Sequence, residues 1–364
     1  MFRNLAFLTS LLVLVQLSAK PATAPPIEIS RAQFARYVEE LSEPEGFFDT
    51  DNFISNETSY LHVIPELRRQ VKPGNVYLGV GPDQNFPYIV HTQPSLAIIS
   101  DIRRQNMLQH LLYKALFDMS ASRAEFAAFL FSRETPKVDR AAGLPELLNA
   151  VRRAPSSDAR YRANVAAIRQ RLLTTYSLKL SADDLRKIEY VCQTFREEGL
   201  DLRFSSIGRN NAANYPTFQS LLLQTDRTGR LQGYLANEEL FLWMKKFEGE
   251  NRLIPIVGDF AGPKAFKAIG AFLKKDGLQV STFYTSNVEY YLFEDAKWGR
   301  YIDNLRALPV TTDAVFIRAY FGNGATHPQN VPGHRATSLV HSLPEMLRDQ
   351  AAGRIRGYWD VAGR

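Results

Sequence analysis

The amino-acid sequence predicts an α/β protein built on a doubly wound, mostly parallel β-sheet with a helical insertion. Three observations predict this fold class. Short apolar runs typical of buried strands alternate with segments of helical period along the 364-residue chain. Several of these runs end in glycine or in a polar side chain, as strands do at a ligand-binding edge of such a sheet. A block of helical segments without strand character interrupts the alternation.

Residues 1–22 have the pattern of a secretory signal peptide. A single positive charge precedes an apolar run from Leu5 to Leu17, and small residues follow at Ala19 and Ala22. A membrane-spanning helix needs roughly 20 apolar residues, so we expect no stable membrane span in the mature form. If the leader functions as a signal, we expect a secreted or periplasmic protein. If it does not function, we expect a cytoplasmic one.

The composition is that of a globular protein with a large core, since 45% of the residues are hydrophobic and 12% are aromatic. The leader contains Arg3 and Lys20 and no acid, so its removal lowers the formal charge of +6 by two. Basic and acidic residues are interspersed, which indicates no nucleic-acid footprint. Cys192 is the only cysteine and lies among apolar residues at helical spacing, which favours a buried structural thiol.

Residues 25–75 are expected to form a preamble of helix and loop. Ser30 has the position of an N-cap for a helix over residues 31–41. A polar cluster follows between two aromatic residues, and it consists of Ser55, Asn56, Glu57 and Ser59. Two interpretations remain open, in which the cluster folds over a ligand cleft or forms a capped loop ahead of the next helix.

Residues 76–118 carry the pattern of the first half of a Rossmann-like domain. An apolar strand begins at Val76 and runs into Gly79 and Gly81, where the backbone can turn sharply and approach a ligand. The second apolar run ends at Asp101, 22 residues after Gly79. That spacing is typical of a carboxylate that binds the ribose hydroxyls of a cofactor lying over the first turn.

An alternative remains for this turn, because the third glycine of the dinucleotide fingerprint is replaced by Phe86. The glycines would then only join a strand to a helix. A helix is predicted after the second strand, and it contains His110 on a segment of apolar residues at helical period.

Residues 119–198 are predicted to form the helical insertion. Four segments in this range have helical spacing, and Ser181 with Asp184 is a capping signal for the last of them. Such an insertion either covers an active site or packs on the sheet.

Residues 199–321 are predicted to complete the Rossmann-like domain, with strands at 200–206, 253–260, 279–293 and 314–321. A helix between the second and third of these strands has Pro263 in its first turn and ends at Gly277. The remaining residues, 322–364, are expected to be a loop-rich C-terminal tail.

Polar side chains collect where the predicted strands end, and ligands bind at that edge of a doubly wound sheet. These candidate site residues are Asp83, Asn85, Asp101, Asp259, Asn287 and Glu289. For each carboxylate, an exposed helix cap is the alternative.

The tail contains three histidines spaced seven apart, and regular spacing alone indicates no metal site. We therefore predict none. The sequence leaves undecided whether several residues at or after the last strand lie over the cleft. These residues are Arg318, Asn323, Gly324, His327 and His334.

Four sequence blocks resemble an uncharacterised bacterial family whose leptospiral member has a fold like that of S-adenosylmethionine-dependent methyltransferases. The blocks are YLGVGPDQNFPYI, IISDIRR, PIVGDFAGPKA and FYTSNVEYYL. The similarity runs from about Phe53 to Tyr320. It implies a sheet of the class I methyltransferase type and a tentative S-adenosylmethionine cofactor.

The resemblance also implies roles for individual residues. Gly79 and Gly81 match two of the three spaced glycines of such methyltransferases, and Tyr77 stands where an acidic residue is usual. Asp101 matches the ribose-binding acid, and Asp259 occupies a strand end that often lies beside the methyl donor or acceptor.

The sequence therefore predicts an S-adenosylmethionine-binding, methyltransferase-like protein with a small-molecule cofactor, an unknown acceptor and an undetermined oligomeric state. The cofactor-binding residues would be Gly79, Gly81, Asp83, Asn85, Asp101, Asp259 and Asn287. Asp259 or Glu289 would accept a proton from the substrate. Two alternatives are an exported, non-catalytic Rossmann-like binding protein and an NAD-dependent oxidoreductase.

Overall fold

Six strands form a single mixed, mostly parallel β-sheet in a computed structural model that describes residues 27–205, 215–322 and 326–363. The strands are Val76–Gly79 (β1), Leu96–Asp101 (β2), Leu253–Val257 (β3), Val280–Ser286 (β4), Val310–Tyr320 (β5) and Thr337–Ser342 (β6). Their order is β3-β2-β1-β4-β5-β6, with β6 antiparallel to β5 and all other pairs parallel. The α/β class predicted from the sequence is confirmed. The predicted leader lies outside the described residues.

Fifteen α-helices are described with this sheet. They are Arg31–Glu40 (α1), Ile64–Gln70 (α2), Asn85–Thr92 (α3), Arg104–Met119 (α4), Arg123–Leu130 (α5), Leu144–Arg153 (α6), Asp158–Gln170 (α7), Ala182–Glu198 (α8), Phe218–Leu222 (α9), Glu238–Gly249 (α10), Ala265–Lys275 (α11), Val288–Glu294 (α12), Trp298–Ala307 (α13), Leu343–Ala351 (α14) and Trp359–Ala362 (α15). Within the described ranges, none of these helices has the length and apolarity that crossing a membrane requires.

The parallel strands end together at one edge of the sheet. Gly79 of β1 is in register with Ile99 of β2, and Asp101 of β2 is in register with Val257 of β3. The chain runs outward from β1 through β2 to β3 and then returns to place β4 on the other side of β1. The strand order therefore reverses between β1 and β4, and such a switch point is where a doubly wound sheet binds its ligands.

Local sequence signals determine several helix starts as expected. Ser30 accepts a hydrogen bond from the amide of Gln33 and forms a capping box at the start of α1. Ser181 and Asp184 form a second capping box at the start of α8. The helices α5 to α8 follow one another without a strand, so residues 119–198 are helical as predicted.

The strand predicted at 200–206 is not present in the described part of that range. Leu202 and Phe204 are buried and alternate with exposed neighbours, but Arg203 forms only an isolated bridge with Thr217. The alternation arises because two side chains pack into the core, and among the described residues the pairing does not extend beyond the single bridge with Thr217.

Two boundaries in the second half also differ from the prediction. The strand predicted over 279–293 ends at Ser286, whose φ of 52° turns the chain into α12. The predicted loop-rich tail contains β6 and α14, because residues 337–342 pair with β5 at the edge of the sheet. Pro263 precedes α11, which begins at Ala265.

Candidate functional site

A cleft of about 360 Å³ opens at the carboxyl edge of the sheet. Its lining includes residues at or just after the ends of four strands, from Gly81 after β1 to Asp101 of β2, Asp259 after β3 and Ser286 of β4. The cleft therefore contains the switch point between β1 and β4, and its volume lies within the range of small-molecule sites.

The turn after β1 is built around the side chain of Asn85. Its Nδ2 donates to the carbonyl oxygens of Val80 at 2.9 Å, Gly81 at 3.1 Å and Pro82 at 2.7 Å. Its Oδ1 accepts from the hydroxyl of Tyr77 at 2.8 Å, and a Cβ on Gly79 would lie 2.0 Å from this oxygen. Asn85 thus stabilises the turn through hydrogen bonds, and Gly79 leaves the space that its side chain occupies. Neither residue lines the cleft.

Of the two glycines of the turn after β1, Gly81 lines the cleft and Gly79 does not. Its φ of 77° lies in the left-handed region that favours glycine. The predicted close approach of a backbone to a ligand therefore applies to Gly81 and not to Gly79.

Asp101 lies at the end of β2, lines the cleft and is held by Arg103. Nε and Nη2 of Arg103 each donate to a different carboxylate oxygen over 3.2 Å, and the backbone amide of Arg103 donates to Oδ1 at 2.9 Å. A carboxylate offers about four acceptor positions, so Asp101 retains capacity for a ligand hydroxyl.

Residues 42–59, here called the cover segment, cross the carboxyl edge of the sheet. Near β3, the backbone amide of Glu43 donates to the carbonyl oxygen of Val257 at 2.9 Å. Near β2, Nη1 of Arg103 donates to the carbonyl oxygen of Thr50 at 2.8 Å. Near β4, the carboxyl group of Glu57 accepts from Tyr284 at 2.7 Å. The structure thus favours the interpretation in which this polar segment folds over the cleft.

The carboxylate of Glu43 also binds the start of α11. It accepts from the backbone amides of Asp259 at 2.7 Å, Lys264 at 2.9 Å and Ala265 at 3.1 Å. Amides at a helix N-terminus have no partner within the helix, and a carboxylate there is stabilised by the helix dipole. These contacts attach the cover segment firmly to one end of the cleft.

Aromatic side chains form the apolar walls of the cleft. Phe47 lies at its edge with 79% of its surface exposed, and Phe48 contacts Tyr291 edge-to-face with ring centroids 5.0 Å apart. Phe260 lines the cleft close to the end of β3. An exposed phenylalanine beside a cleft offers a flat apolar face to a ring-shaped ligand.

Carboxylates outnumber basic groups around the cleft. The acidic lining residues are Asp49, Asp101, Asp259 and Asp295, and the basic ones are Arg103 and Lys297. Both basic groups form ion pairs with neighbouring acids, Arg103 with Asp101 and Lys297 with Asp295. Among the described lining residues, acids are thus more numerous than bases, which favours a cationic ligand.

A smaller polar chamber of about 70 Å³ adjoins the cleft, and we call it the inner chamber. It shares a wall with the cleft that includes Asn52, Gln84 and Ser286. Asn52 and Ser286 are two non-glycine residues with positive φ, at 46° and 52°. Residues held in this sparsely populated region often occur at functional sites.

Glu57 lines the inner chamber and is 1% exposed. It accepts hydrogen bonds from the hydroxyls of Tyr284 and Ser286 through Oε1. Burial raises the pKa of Glu57 from 4.5 to about 7, against the opposing effect of these hydrogen bonds. A carboxyl group with such a pKa exchanges a proton readily near neutral pH.

The structure brings four of the predicted site residues together, since Gly81, Asp101, Asp259 and Asn287 all line the cleft. Asp83 does not line it. It accepts a hydrogen bond from Tyr234 at 3.2 Å, and burial raises its pKa to about 7. Asp83 therefore belongs to a buried contact beside α3.

Glu289 lies outside the cleft, which corrects its predicted role as a base. Its carboxylate is fully buried and binds Arg318, whose Nε donates to Oε2 at 2.5 Å and whose Nη2 donates to Oε1 at 3.0 Å. The hydroxyl of Tyr301 donates to Oε1 at 3.2 Å. This carboxylate is committed to a buried ion pair and has no access to a ligand in the cleft.

The histidines of the tail do not line the cleft either. His327 packs beside Tyr320 and Trp359, and His334 contacts His62 with ring centroids 4.5 Å apart. Asn323 and Gly324 lie outside the described residues. Across the described ranges, no group of three His, Cys, Asp or Glu side chains has the arrangement of a metal site.

Sequence reasoning missed Arg103, Gln84 and the aromatic walls. Arg103 follows Asp101 by two positions, and this proximity in sequence is the signal that could have identified it. The position of Phe47 depends on the path of the cover segment, for which the sequence has no comparable signal.

The chain matches the model of the family described as domain of unknown function (DUF7790), over residues 52–183 and 208–354. These ranges cover well over half of the chain, and the protein therefore belongs to this family. They include Glu57, Gly81, Asp101 and Asp259, which line the cleft or the inner chamber. No curated protein matches the chain at a significant level.

Proposed function

We propose that this member of the DUF7790 family binds S-adenosylmethionine in the cleft and transfers its methyl group to a small acceptor, on a sheet of the class I methyltransferase type. The observation that carries the proposal is that Gly81 and Asp101, at the ends of neighbouring parallel strands, line one cleft at the switch point. The order of the five parallel strands is that of a doubly wound nucleotide-binding sheet, which supports the fold assignment.

The residues of the cleft fit the parts of this cofactor. Asp101 accepts the ribose hydroxyls while Arg103 holds its carboxylate in position. The exposed ring of Phe47 and the ring of Phe48 provide apolar surface for the adenine. The excess of carboxylates, including Asp259, favours a ligand that carries a sulfonium charge.

S-adenosylmethionine would supply a methyl group bonded to a sulfonium sulfur. When the methyl group is transferred, S-adenosylhomocysteine leaves as a neutral thioether, which is a good leaving group. The task of this chain is then to hold the acceptor in line and to exclude water, and positioning of that kind supplies much of a rate enhancement. The cover segment excludes water from the ends of β2 and β4. Asp259 lines the cleft and is the predicted base that remains in a position to accept a proton from the acceptor.

Titration calorimetry and equilibrium dialysis with S-adenosylhomocysteine and S-adenosylmethionine test this proposal. We expect one site per chain and at least ten-fold weaker binding by Asp101→Asn, a loss of about 1.4 kcal/mol. Asp276→Asn, the same change at an exposed position after α11, should bind as the unmodified protein does. Absence of binding at millimolar ligand would overturn the proposal.

One alternative function has support in the sequence. The predicted signal peptide directs the chain to a compartment where S-adenosylmethionine is not normally supplied, which favours an exported binding protein. Binding of S-adenosylhomocysteine without methyl transfer to any of a panel of small amines, thiols and hydroxyl compounds would favour this alternative.

A nicotinamide enzyme has less support. Phe86 occupies the position of the third fingerprint glycine and is fully buried, with its ring packed edge-to-face on His110 and Tyr234. Titration with NAD⁺ separates this third function from the other two.

A further inference from the structure

We propose that the inner chamber is a binding site for a protonated primary amine, whose remaining atoms extend into the cleft. This inference goes beyond the proposed function, because it rests on the chamber alone and applies to any amine-bearing ligand of the cleft.

Two acceptor oxygens of the lining lack hydrogen-bond partners. These are Oε2 of Glu57 and Oε1 of Gln84, and neither has a partner among the described residues although both side chains are more than nine-tenths buried. A buried polar atom without a partner is unfavourable, because it has lost its hydrogen bonds to water. Such atoms in a chamber that opens onto a cleft point to a ligand that supplies the missing donors.

The two side chains are linked through one tyrosine. Nε2 of Gln84 donates to the hydroxyl of Tyr284 at 3.1 Å, and this hydroxyl donates to Oε1 of Glu57 at 2.7 Å. One N–H of Gln84 and the first oxygen of Glu57 are thus already used. The two oxygens without partners are acceptors when Glu57 is ionised, and a primary ammonium group provides three donors and no acceptor.

The charge of the lining favours the same ligand. Asp49 and Glu57 line the chamber, and no basic residue is among the described residues that do so. Burial, with Glu57 among the further causes, raises the pKa of Tyr77, Tyr88, Tyr284 and Tyr358, so these hydroxyls carry no charge. The described lining thus presents neutral and acidic groups to an entering cation, which would stabilise the ionised form of Glu57.

The size of the chamber limits what can enter. Its volume of about 70 Å³ has room for an ammonium group and one or two carbons. Phe48, Ser286 and Tyr291 line both the chamber and the cleft, so a ligand can occupy the two spaces together. The amine would belong either to the amino-acid part of the proposed cofactor or to the acceptor.

Carbon-13 NMR of the full chain labelled at the glutamate carboxyl carbon tests the amine site directly. We expect two carboxyl signals with midpoints near pH 7, of which Glu57→Gln removes one and leaves the one from Glu248, where burial also raises the pKa to about 7. Ethylammonium chloride should lower the Glu57 midpoint by at least one pH unit, and ethanol at the same concentration should not. The Glu248 signal should not respond, because this residue pairs with Lys114 in the core.

A Glu57 midpoint that ethylammonium leaves unchanged would overturn the proposal, as would the absence of a Glu57 signal near pH 7. Gln84→Met removes the other acceptor and should weaken the response to ethylammonium at least ten-fold, which keeps the test open if Glu57→Gln does not fold. Glu294→Gln, an exposed change at the end of α12, is the matched control.

The two sources of the amine are separated by the affinity of Glu57→Gln for two adenosine compounds. Weaker binding of S-adenosylhomocysteine, with unchanged binding of 5′-methylthioadenosine, assigns the amine to the cofactor. Unchanged binding of both, together with the ethylammonium response, assigns it to the acceptor. If neither compound binds the unmodified protein, the proposed function fails while the ethylammonium result still decides the amine site.

Discussion

Arg103 binds both carboxylate oxygens of Asp101, over 3.2 Å at each oxygen, from two positions further along the chain. The same guanidinium donates to the carbonyl oxygen of Thr50 in the cover segment. The carboxylate proposed to bind ribose is therefore oriented by the side chain that also holds the cover segment in place. This arrangement makes ligand affinity sensitive to a residue that has no assigned contact with the ligand.

Replacement of Arg103 by methionine should weaken the binding of S-adenosylhomocysteine at least ten-fold. The reason is that the carboxylate of Asp101 and the carbonyl oxygen of Thr50 in the cover segment both lose the guanidinium that binds them. Calorimetric titration measures the effect. Arg104→Met is the control, since Arg104 pairs with Asp184 of α8 outside the cleft. Equal affinities for the two variants would contradict the positioning role of Arg103.

The turn after β1 provides a prediction about stability. Asn85→Leu should lower the free energy of unfolding by about 3 kcal/mol, because three buried carbonyl oxygens and the hydroxyl of Tyr77 lose a partner. Asn106 is equally buried, but its side-chain amide has no partner within the described residues. Asn106→Leu should therefore cost less than 1 kcal/mol or stabilise the fold. Urea denaturation measures both variants, and a similar loss in each would refute the explanation.

The ion pair between Arg318 and Glu289 should contribute to stability and not to ligand binding. Arg318→Met leaves a carboxylate buried without its charged partner, so we expect a loss of about 3–5 kcal/mol in the free energy of unfolding. Arg306→Met disrupts the exposed pair with Asp303 and should cost less than about 1 kcal/mol. Affinity for S-adenosylhomocysteine at low temperature should be unchanged in both variants. A loss of affinity confined to Arg318→Met would restore a role for Glu289 at the site.

The raised pKa of Glu57 predicts a pH dependence of stability. The folded protein retains the proton of Glu57 up to about pH 7, whereas the unfolded chain releases it near pH 4.5. The resulting stabilisation is complete below pH 4.5 and is lost as the pH rises through 7. Its full size is about 3 kcal/mol.

Urea denaturation from pH 4.5 to pH 8 measures this dependence. The unmodified protein should lose stability relative to Glu57→Gln as the pH rises, and Glu294→Gln should follow the unmodified protein. Parallel curves for the unmodified protein and Glu57→Gln would show that Glu57 titrates at its ordinary value.

Part of the site follows from the sequence because parallel strands end at one edge. Asp101 and Asp259 each stand at or just beyond the end of an apolar run, and this rule alone brings them to one cleft. The composition of the polar cluster around Glu57 is unusual for a connecting loop, but the sequence alone leaves open whether it folds over a cleft or forms a capped loop. Capping residues such as Ser30 and Ser181 identify helix starts from the sequence, because the hydrogen bonds involved span only three residues.

The remaining differences involve contacts between distant parts of the chain. Glu289 has the strand-end position of a site residue, but Arg318, 29 residues further along, determines where its carboxylate lies. Asn85 follows a predicted strand end, and this position alone predicts a side chain that contacts the ligand. Its side-chain amide instead donates to the carbonyl oxygens of the turn after β1. The segment around Phe204 has the alternation of a strand, but within the described ranges it pairs only through the isolated bridge between Arg203 and Thr217. Periodicity reports which side chains are buried, and it does not identify the partners that bury them.

The carboxylate of Glu43 has a consequence for the binding of anions at the start of α11. Amides at the start of a helix are a common binding place for phosphate, and at α11 Glu43 already accepts from those of Lys264 and Ala265. A triphosphate or pyrophosphate tail directed to this end of the cleft would meet a negative charge in place of free amides. We therefore expect the start of α11 not to serve as a phosphate site while Glu43 occupies its amides.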